Sequence, residues 1–304
     1  RDEAMVYTVT LNPAIDYVVG VEQFRTGTLN RASRELVQVG GKGINVSMLL
    51  NRLAVETTAM GFIAGFTGRE IERFLIKEGI KTDFVQIENG FSRINVKLKS
   101  ACETEINGRG PRVSEKELEA LERKLDLLKA DDFLVLAGSI PPTIPANFYE
   151  KVLSRLAGNG VKFIVDAEGT LLTDTLKFRP FLVKPNQMEL EGIFHLKKIS
   201  VPQIEECTRQ LQQWGARNVL VSLGENGAVL LDEDGIFHTM EAPHGIVKNS
   251  VGAGDSMVAG FLAGWLKSND PVQALRIGIA AGSATAFADG IAERQEIERL
   301  LSKV

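Results

Sequence analysis

Several short segments of the chain combine glycine with charged or amide side chains at spacings that suit chemistry on an anion. The sharpest is Val251-Gly252-Ala253-Gly254-Asp255, which runs into a helical pattern from Ser256 to Leu262. Glycines ahead of a helix leave its first N–H groups unobstructed. Those groups and the helix dipole attract negative charge. A carboxylate there repels a bound phosphate unless it has a task. Asp255 therefore has two readings: acceptor of the proton of an attacking hydroxyl, worth about 10²–10⁴ in rate, or plain helix cap. Gly40-Gly41-Lys42-Gly43-Ile44-Asn45 lies between a strand pattern and a helix. Its glycines permit close backbone approach of a ligand, with Lys42 supplying charge; a tight turn with an exposed lysine fits as well. Ser222-Leu223-Gly224-Glu225-Asn226-Gly227, Ala137-Gly138-Ser139 and Lys184-Pro185-Asn186-Gln187-Met188-Glu189 each follow a strand pattern. Ligands of open α/β sheets sit outside the carboxyl ends of strands, although ordinary strand-to-helix loops look alike.

The elements that must position these groups alternate. Val6–Leu11, Thr57–Ile63, Phe133–Ala137, Lys162–Asp166, Phe181–Lys184 and Val219–Leu223 read as strands, several of them continuously apolar, as in a parallel sheet covered on both faces. Helices intervene: Ser114 and Glu117 form a capping box ahead of Leu118, Leu121, Leu125 and Leu128, Ser200 with Gln203 starts another, and Asp270-Pro271 a third. This predicts a doubly wound α/β fold. Two stretches, about 17–39 and 84–108, break the alternation. Their alternating segments Arg34–Val39 and Arg93–Leu98 read as antiparallel strands with one wet face, forming a small separate lid on one domain spanning 5–304. Gly61 to Gly68 reads as a loop, and Trp214 and Trp265 as core.

Composition excludes several classes. The chain has 304 residues, 44% hydrophobic and 24% charged, with 35 basic against 39 acidic side chains. That is too apolar for disorder, and a pI near 5.6 argues against a basic nucleic-acid surface. Glycine alone is in excess, 29 residues, against a usual share of about 7%. No apolar run is long enough for a membrane span; the longest candidate, Ile277 to Ala288, is too short. Cys102 and Cys207 form no motif and read as reduced intracellular thiols. His195, His238 and His244 lack metal-ligand spacing. Walker A, G-x-G-x-x-G and G-x-S-x-G strings are absent. Arg1-Asp2-Glu3-Ala4, ahead of Met5, read as a cloning remnant.

Taken in order, the motifs resemble those of the ribokinase-like carbohydrate kinases, in the phosphofructokinase-B branch. Gly40–Asn45 is similar to the family's first signature and Asn249–Ser256 to its second. Leu11-Asn12-Pro13-Ala14-Ile15-Asp16, Ala137–Pro142, Lys184–Glu189 and Ser222-Leu223-Gly224 also match in order, so the likeness spans Met5 to about Ala292. Ser92–Lys97 and Glu103–Gly108 are most similar to bacterial 1-phosphofructokinases. The resemblance implies a ribokinase-like sheet flanked by helices with a small antiparallel β lid. It implies Asp255 as catalytic base, with Gly252, Ala253 and Gly254 as the anion hole for the moving phosphoryl group. Asp16, Gly41 and Asn45 match sugar-hydroxyl contacts; Lys42, Arg93 and Ser139 lie where the family holds the substrate's own phosphate, with Arg31 of the lid as a possible helper. Lys184, Asn186 and Glu189 match groups near the nucleotide phosphates and Mg²⁺, which ATP itself mainly holds. Ser222, Gly224 and Gly227 match the nucleotide loop, with Gly282 and Ser283 near the adenine. The implied activity is ATP-dependent phosphorylation of D-fructose 1-phosphate at its 6-hydroxyl, in a cytoplasmic enzyme that dimerises through the lid. Tagatose-6-phosphate or fructose-6-phosphate kinase is the alternative within the family. A sugar-phosphate-binding regulator without catalysis is a rival that an intact Asp255 disfavours.

Overall fold

The computed structural model describes residues 4–304, so Arg1, Asp2 and Glu3 of the expected remnant lie outside the described residues. Ala4 already packs against the core. The main sheet has nine strands in the order β13-β12-β11-β10-β9-β8-β1-β4-β5. These are β1 (Val6–Thr10), β4 (Thr57–Ala64), β5 (Lys81–Ile87), β8 (Phe133–Ala137), β9 (Lys162–Asp166), β10 (Leu182–Val183), β11 (Asn218–Ser222), β12 (Ala228–Leu231) and β13 (Phe237–Met240). From β11 to β5 every pairing is parallel; β12 and β13 add antiparallel at one edge. Strand pleating sends alternate side chains to opposite faces. Leu134 and Leu136 of β8 thus enter one buried cluster, while Phe133, Val135 and Ala137 enter another.

Helices cover both faces, as the continuously apolar strands require. On one side lie α3 (Glu115–Leu125), α4 (Phe148–Leu156), α5 (Thr170–Thr173), α6 (Gln187–Phe194) and α7 (Val201–Gln213). On the other lie α1 (Lys42–Arg52), α2 (Gly65–Lys77), α8 (Ala253–Ser268), α9 (Pro271–Phe287) and α10 (Arg294–Leu301). The expected caps are in place: Ser114 and Ser200 form capping boxes, and Asp270 accepts from Val272 and Gln273 N–H. Helices α8 and α9 pack almost backbone to backbone. A Cβ on Gly260 would stand 2.7 Å from the Ile277 carbonyl, and one on Gly264 2.8 Å from Ala274 Cα. Part of the glycine excess therefore serves helix packing.

The lid is a second sheet of β2 (Ala14–Gly20), β3 (Arg34–Gly40), β6 (Arg93–Lys99) and β7 (Thr104–Asn107), in the order β3-β2-β6-β7. Antiparallel pairing holds within each hairpin, β2 with β3 and β6 with β7. The two hairpins join through a parallel pair, β2 with β6, with Asp16 opposite Asn95. The expected lower boundary of the second insertion is corrected. Phe84 to Ile87 belong to β5 of the main sheet, because Phe84, Val85 and Ile87 are buried core residues. Gly61–Gly68 is likewise no loop: β4 continues to Ala64 and α2 starts at Gly65. Trp265 packs edge-on against Phe181, but Trp214 ends α7 at 44% exposure and is not core. No helix among the described residues is long and apolar enough to cross a membrane.

Candidate active site

The carboxyl ends of the parallel strands, the N-termini of α1 and α8 and the lid enclose one cleft of about 1220 Å³. Almost every residue singled out from the sequence lines it, although they come from seven separate stretches of chain. Ser139 does not: it is exposed in the loop after β8 and lies outside the cleft lining, because only Gly138 stays close, against the Lys42 stem. Arg31 is exposed in the loop between β2 and β3, also away from the lining.

At the floor, Gly252 precedes α8 with φ +81°. This left-handed conformation costs a non-glycine residue strain, and a Cβ would also meet Ile291 Cδ1 at 2.7 Å. Ala253 N–H donates to the Ser250 carbonyl at 3.2 Å, while the next N–H groups of α8 lack an intrahelical partner, the condition under which a helix N-terminus attracts an anion. Asp255 stands in the first turn, 5% exposed, and does not cap the helix: the N-cap is Gly252, and Asp255 Oδ2 instead accepts from Asn45 Nδ2 at 2.8 Å. Burial, reinforced by the Asp166 charge, pushes the Asp255 carboxyl up to about 6, against the Asn45 hydrogen bond and the charges of Lys42 and Lys184. That is the range suited to a base working near neutral pH.

Two lysines meet one buried carboxylate beside it. Asp166, the last residue of β9, has Lys184 Nζ 3.4 Å from Oδ1 and Lys42 Nζ 3.7 Å from Oδ2. Oδ2 has no hydrogen-bond partner. Burial acts to lower the Lys42 pKa, but Asp166, Asp255, Glu189 and Glu168 outweigh it and raise it, so Lys42 stays charged. A Cβ on Gly254 would stand 3.2 Å from Lys184 Nζ, which puts this 4%-exposed lysine directly under the anion site. The sequence reading missed Asp166; its signal was a charge ending the apolar run Phe163-Ile164-Val165.

Gly40 and Gly41 line the cleft, and the glycines of the first signature have a second use. A Cβ on Gly40 would stand 2.7 Å from Asp16 Oδ2, and one on Gly43 2.5 Å from Thr10 Oγ1. They admit the protein's own side chains: Thr10 Oγ1 accepts from Ile44 N–H at 3.0 Å, docking α1 against β1. Asp16 and Arg93 line the cleft from the lid; Arg93 Nε donates to the Asn12 carbonyl at 3.0 Å, and burial lowers its pKa, with Asp16 opposing. Asn186 and Glu189 are tied to each other as the capping box of α6, each accepting from the other's N–H at 2.8 Å. Ser222, Gly224 and Gly227 line the far end with Gly282 and Ser283 of α9.

A cleft with an anion site at a helix N-terminus, a raised carboxyl beside it and two lysines beneath is equipped for phosphoryl transfer. The model of the pfkB family carbohydrate kinases matches residues 3–297. The chain belongs to this family of kinases. Similarity runs through its whole length: it is 43% identical over 300 residues to a 1-phosphofructokinase of Bacillus subtilis, covering 99% of this chain and 98% of that protein. It is 38% identical over 301 residues to a D-tagatose-1-phosphate kinase of Bacillus licheniformis, covering 99% and 98%. Among solved structures, the phosphofructokinase-2 of Escherichia coli in complex with substrates and products superposes with a TM-score of 0.90, at 26% identity over 99% of each chain. The kinase is thus a sugar-phosphate phosphotransferase of ribokinase-like fold with a mostly parallel main sheet.

Proposed function

We propose that the kinase transfers the γ-phosphoryl group of ATP to the 6-hydroxyl of D-fructose 1-phosphate, giving fructose 1,6-bisphosphate and ADP. The observation that carries this is one cleft with cations at two places, Lys184 and Lys42 on Asp166 beneath the α8 terminus and Arg93 toward the lid. A substrate that already carries a phosphate needs both. The full-length likeness to a 1-phosphofructokinase supports the sugar.

Asp255 accepts the proton of the attacking hydroxyl as the new O–P bond forms and the bond from phosphorus to the ADP oxygen breaks, and the N–H groups of Gly252 and Gly254 receive the charge on the moving group, with Ala253 N–H held by the Ser250 carbonyl at 3.2 Å. Lys184 holds charge at the same point. Asp16, Gly41 and Asn45 orient the sugar; Asn45 also holds Asp255, so one amide links base and substrate. Arg93 receives the existing phosphate; Lys42, expected beside it, stands on Asp166 between the two ends of the transfer, and Ser139 lies outside the cleft. Ser222, Gly224, Gly227, Gly282 and Ser283 seat the nucleotide. For Mg²⁺ the donor chemistry fits. The ion needs only one or two carboxylates besides phosphates and water, and Asp166, whose Oδ2 faces Lys42 at 3.7 Å without a hydrogen bond, joins Glu189 and Asn186 in the lining. When bound, Mg²⁺ neutralises phosphate oxygens. The lid shields the transfer from water. Its face opposite Asp16 carries the rung Val37-Tyr17-Val96-Ile106, with Val37 61% and Ile106 67% exposed, which suits pairing of two lids in a homodimer.

The test is purified protein with ATP and Mg²⁺ against fructose 1-phosphate, tagatose 1-phosphate, tagatose 6-phosphate and fructose 6-phosphate. Fructose 1-phosphate is expected to give the highest kcat/KM. A higher value on either tagatose phosphate or on fructose 6-phosphate overturns the sugar. Tagatose 1-phosphate, the C4 epimer, is the second reading, supported by the D-tagatose-1-phosphate kinase relative.

A further inference from the structure

The lid holds a polar trio, Asp16, Asn95 and Lys97, whose last two members the phosphoryl-transfer groups do not account for. The parallel register of β2 and β6 sets Asp16 opposite Asn95. Lys97, two residues on, lies on the same face by strand alternation. Asn95 Nδ2 donates to Asp16 Oδ1 at 2.9 Å, and Lys97 Nζ stands 3.6 Å from Asp16 Oδ2. Gly40 closes the third side, since a Cβ there would stand 2.7 Å from that same Oδ2. Little of this is open to water: Asn95 is 7% exposed, and the side chains of Lys97 and Asp16 16% and 15%. Glu105 of β7, directly across from Lys97, reaches its Nζ at 3.9 Å. All of Asp16, Asn95, Lys97 and Glu105 line the cleft.

A carboxylate accepts hydrogen bonds and donates none. One that can swing takes hydroxyls from many directions; one held at both oxygens takes them from few. We propose that Lys97 and Asn95 are positioning residues that lock Asp16 in a single orientation, so that the lid selects the sugar phosphate through the geometry of its hydroxyls at Asp16. Lys97 acts through Asp16 and not on the substrate's phosphate. The lock is built into the sheet register. This rests on the reading that Asp16 receives sugar hydroxyls.

A double-mutant cycle tests both layers. KM and kcat for fructose 1-phosphate and for ATP are measured in the wild type, Asp16→Asn, Lys97→Met and the double variant, with Lys97→Arg as the conservative control. Asp16→Asn is expected to raise the sugar-phosphate KM by roughly 10- to 100-fold, the range for a lost hydrogen bond to a charged group. Lys97→Met is expected to raise it by about 5- to 20-fold, to leave the ATP KM within about two-fold, and to narrow the preference for fructose 1-phosphate over tagatose 1-phosphate. The double variant is expected to be no worse than Asp16→Asn, the non-additivity of residues acting through one another. Lys97→Arg should recover most of the affinity. If Lys97→Met does not fold, Lys97→Gln takes its place in the cycle. Losses that multiply in the double variant, or an unchanged sugar-phosphate KM in Lys97→Met, overturn the proposal while the reading of Asp16 stands. A normal KM in Asp16→Asn overturns that reading, and the proposal with it.

Discussion

Replacing Asp255 by Asn should cost the kinase its activity and make the empty protein more stable. Burial, followed by the charge of Asp166, moves this carboxyl from 3.8 to about 6. That difference of about two pK units corresponds to about 3 kcal/mol. The sign follows from proton counting. Between pH 3.8 and 6 the folded chain holds a proton that the unfolded chain releases, so stability falls as pH rises through that window, and the penalty is complete above about pH 6. Asparagine carries no such charge, and its amide oxygen can still accept from Asn45. The variant should therefore melt several degrees above the wild type at pH 7.5, at roughly 2–4 °C per kcal/mol. The gain should shrink as the pH approaches 4. In the same variant kcat should drop by at least about 10², while nucleotide binding survives. In the wild type, kcat/KM should fall on the acid side with a midpoint near 6, the value of the base. Calorimetry across pH and a coupled ADP-release assay provide both readouts. A melting temperature that drops, a gain independent of pH, or turnover within ten-fold of normal would refute the assignment of Asp255.

Gly252→Ala should lower kcat more than it raises either KM, since both its φ of +81° and the contact with Ile291 distort the anion site; strain of this kind costs about 1–3 kcal/mol, and steady-state kinetics reads it. Lys184→Met removes one of two cations from a buried carboxylate and should lower the melting temperature as well as kcat, because an uncompensated buried charge costs about 3–5 kcal/mol; unchanged thermal stability would show that Lys42 alone suffices. Ile106→Glu on the outer rung of the lid should shift the protein toward monomer in analytical ultracentrifugation, and an unaltered mass would remove the lid from the dimer interface.

The order of strands, helices and loops was legible because pattern and burial agree. Phe133–Ala137 is continuously apolar and lies at the middle of the sheet, buried throughout. The lid boundary was not, because β5 ends at Ile87 only six residues before lid strand β6 starts at Arg93, and both strands carry the same alternation of apolar and polar residues. For the site, glycine strings marked the loops but not what they approach. Gly252 opens a helix terminus toward the cleft, whereas Gly40 and Gly43 make room for Asp16 and Thr10. Asn45 read as a sugar contact, and its bond to Asp255 spans 210 positions, beyond any local pattern. Asp166 and Lys97 escaped notice for the same reason: each gains its meaning from partners brought by other strands.

The parallel seam between β2 and β6 joins segments that leave the main sheet at different points, with α1, β4, α2 and β5 between them. Neither half of the lid is a module. A cut in the loop between β2 and β3 leaves β2 held by β6 of the other half, and β3 held by β2. A transplant of residues 14–40 from a relative arrives without the Asn95 and Lys97 that aim its Asp16. On the proposed role of Asp16, sugar preference in this kinase rests on two distant stretches together, and an exchange of it has to move both.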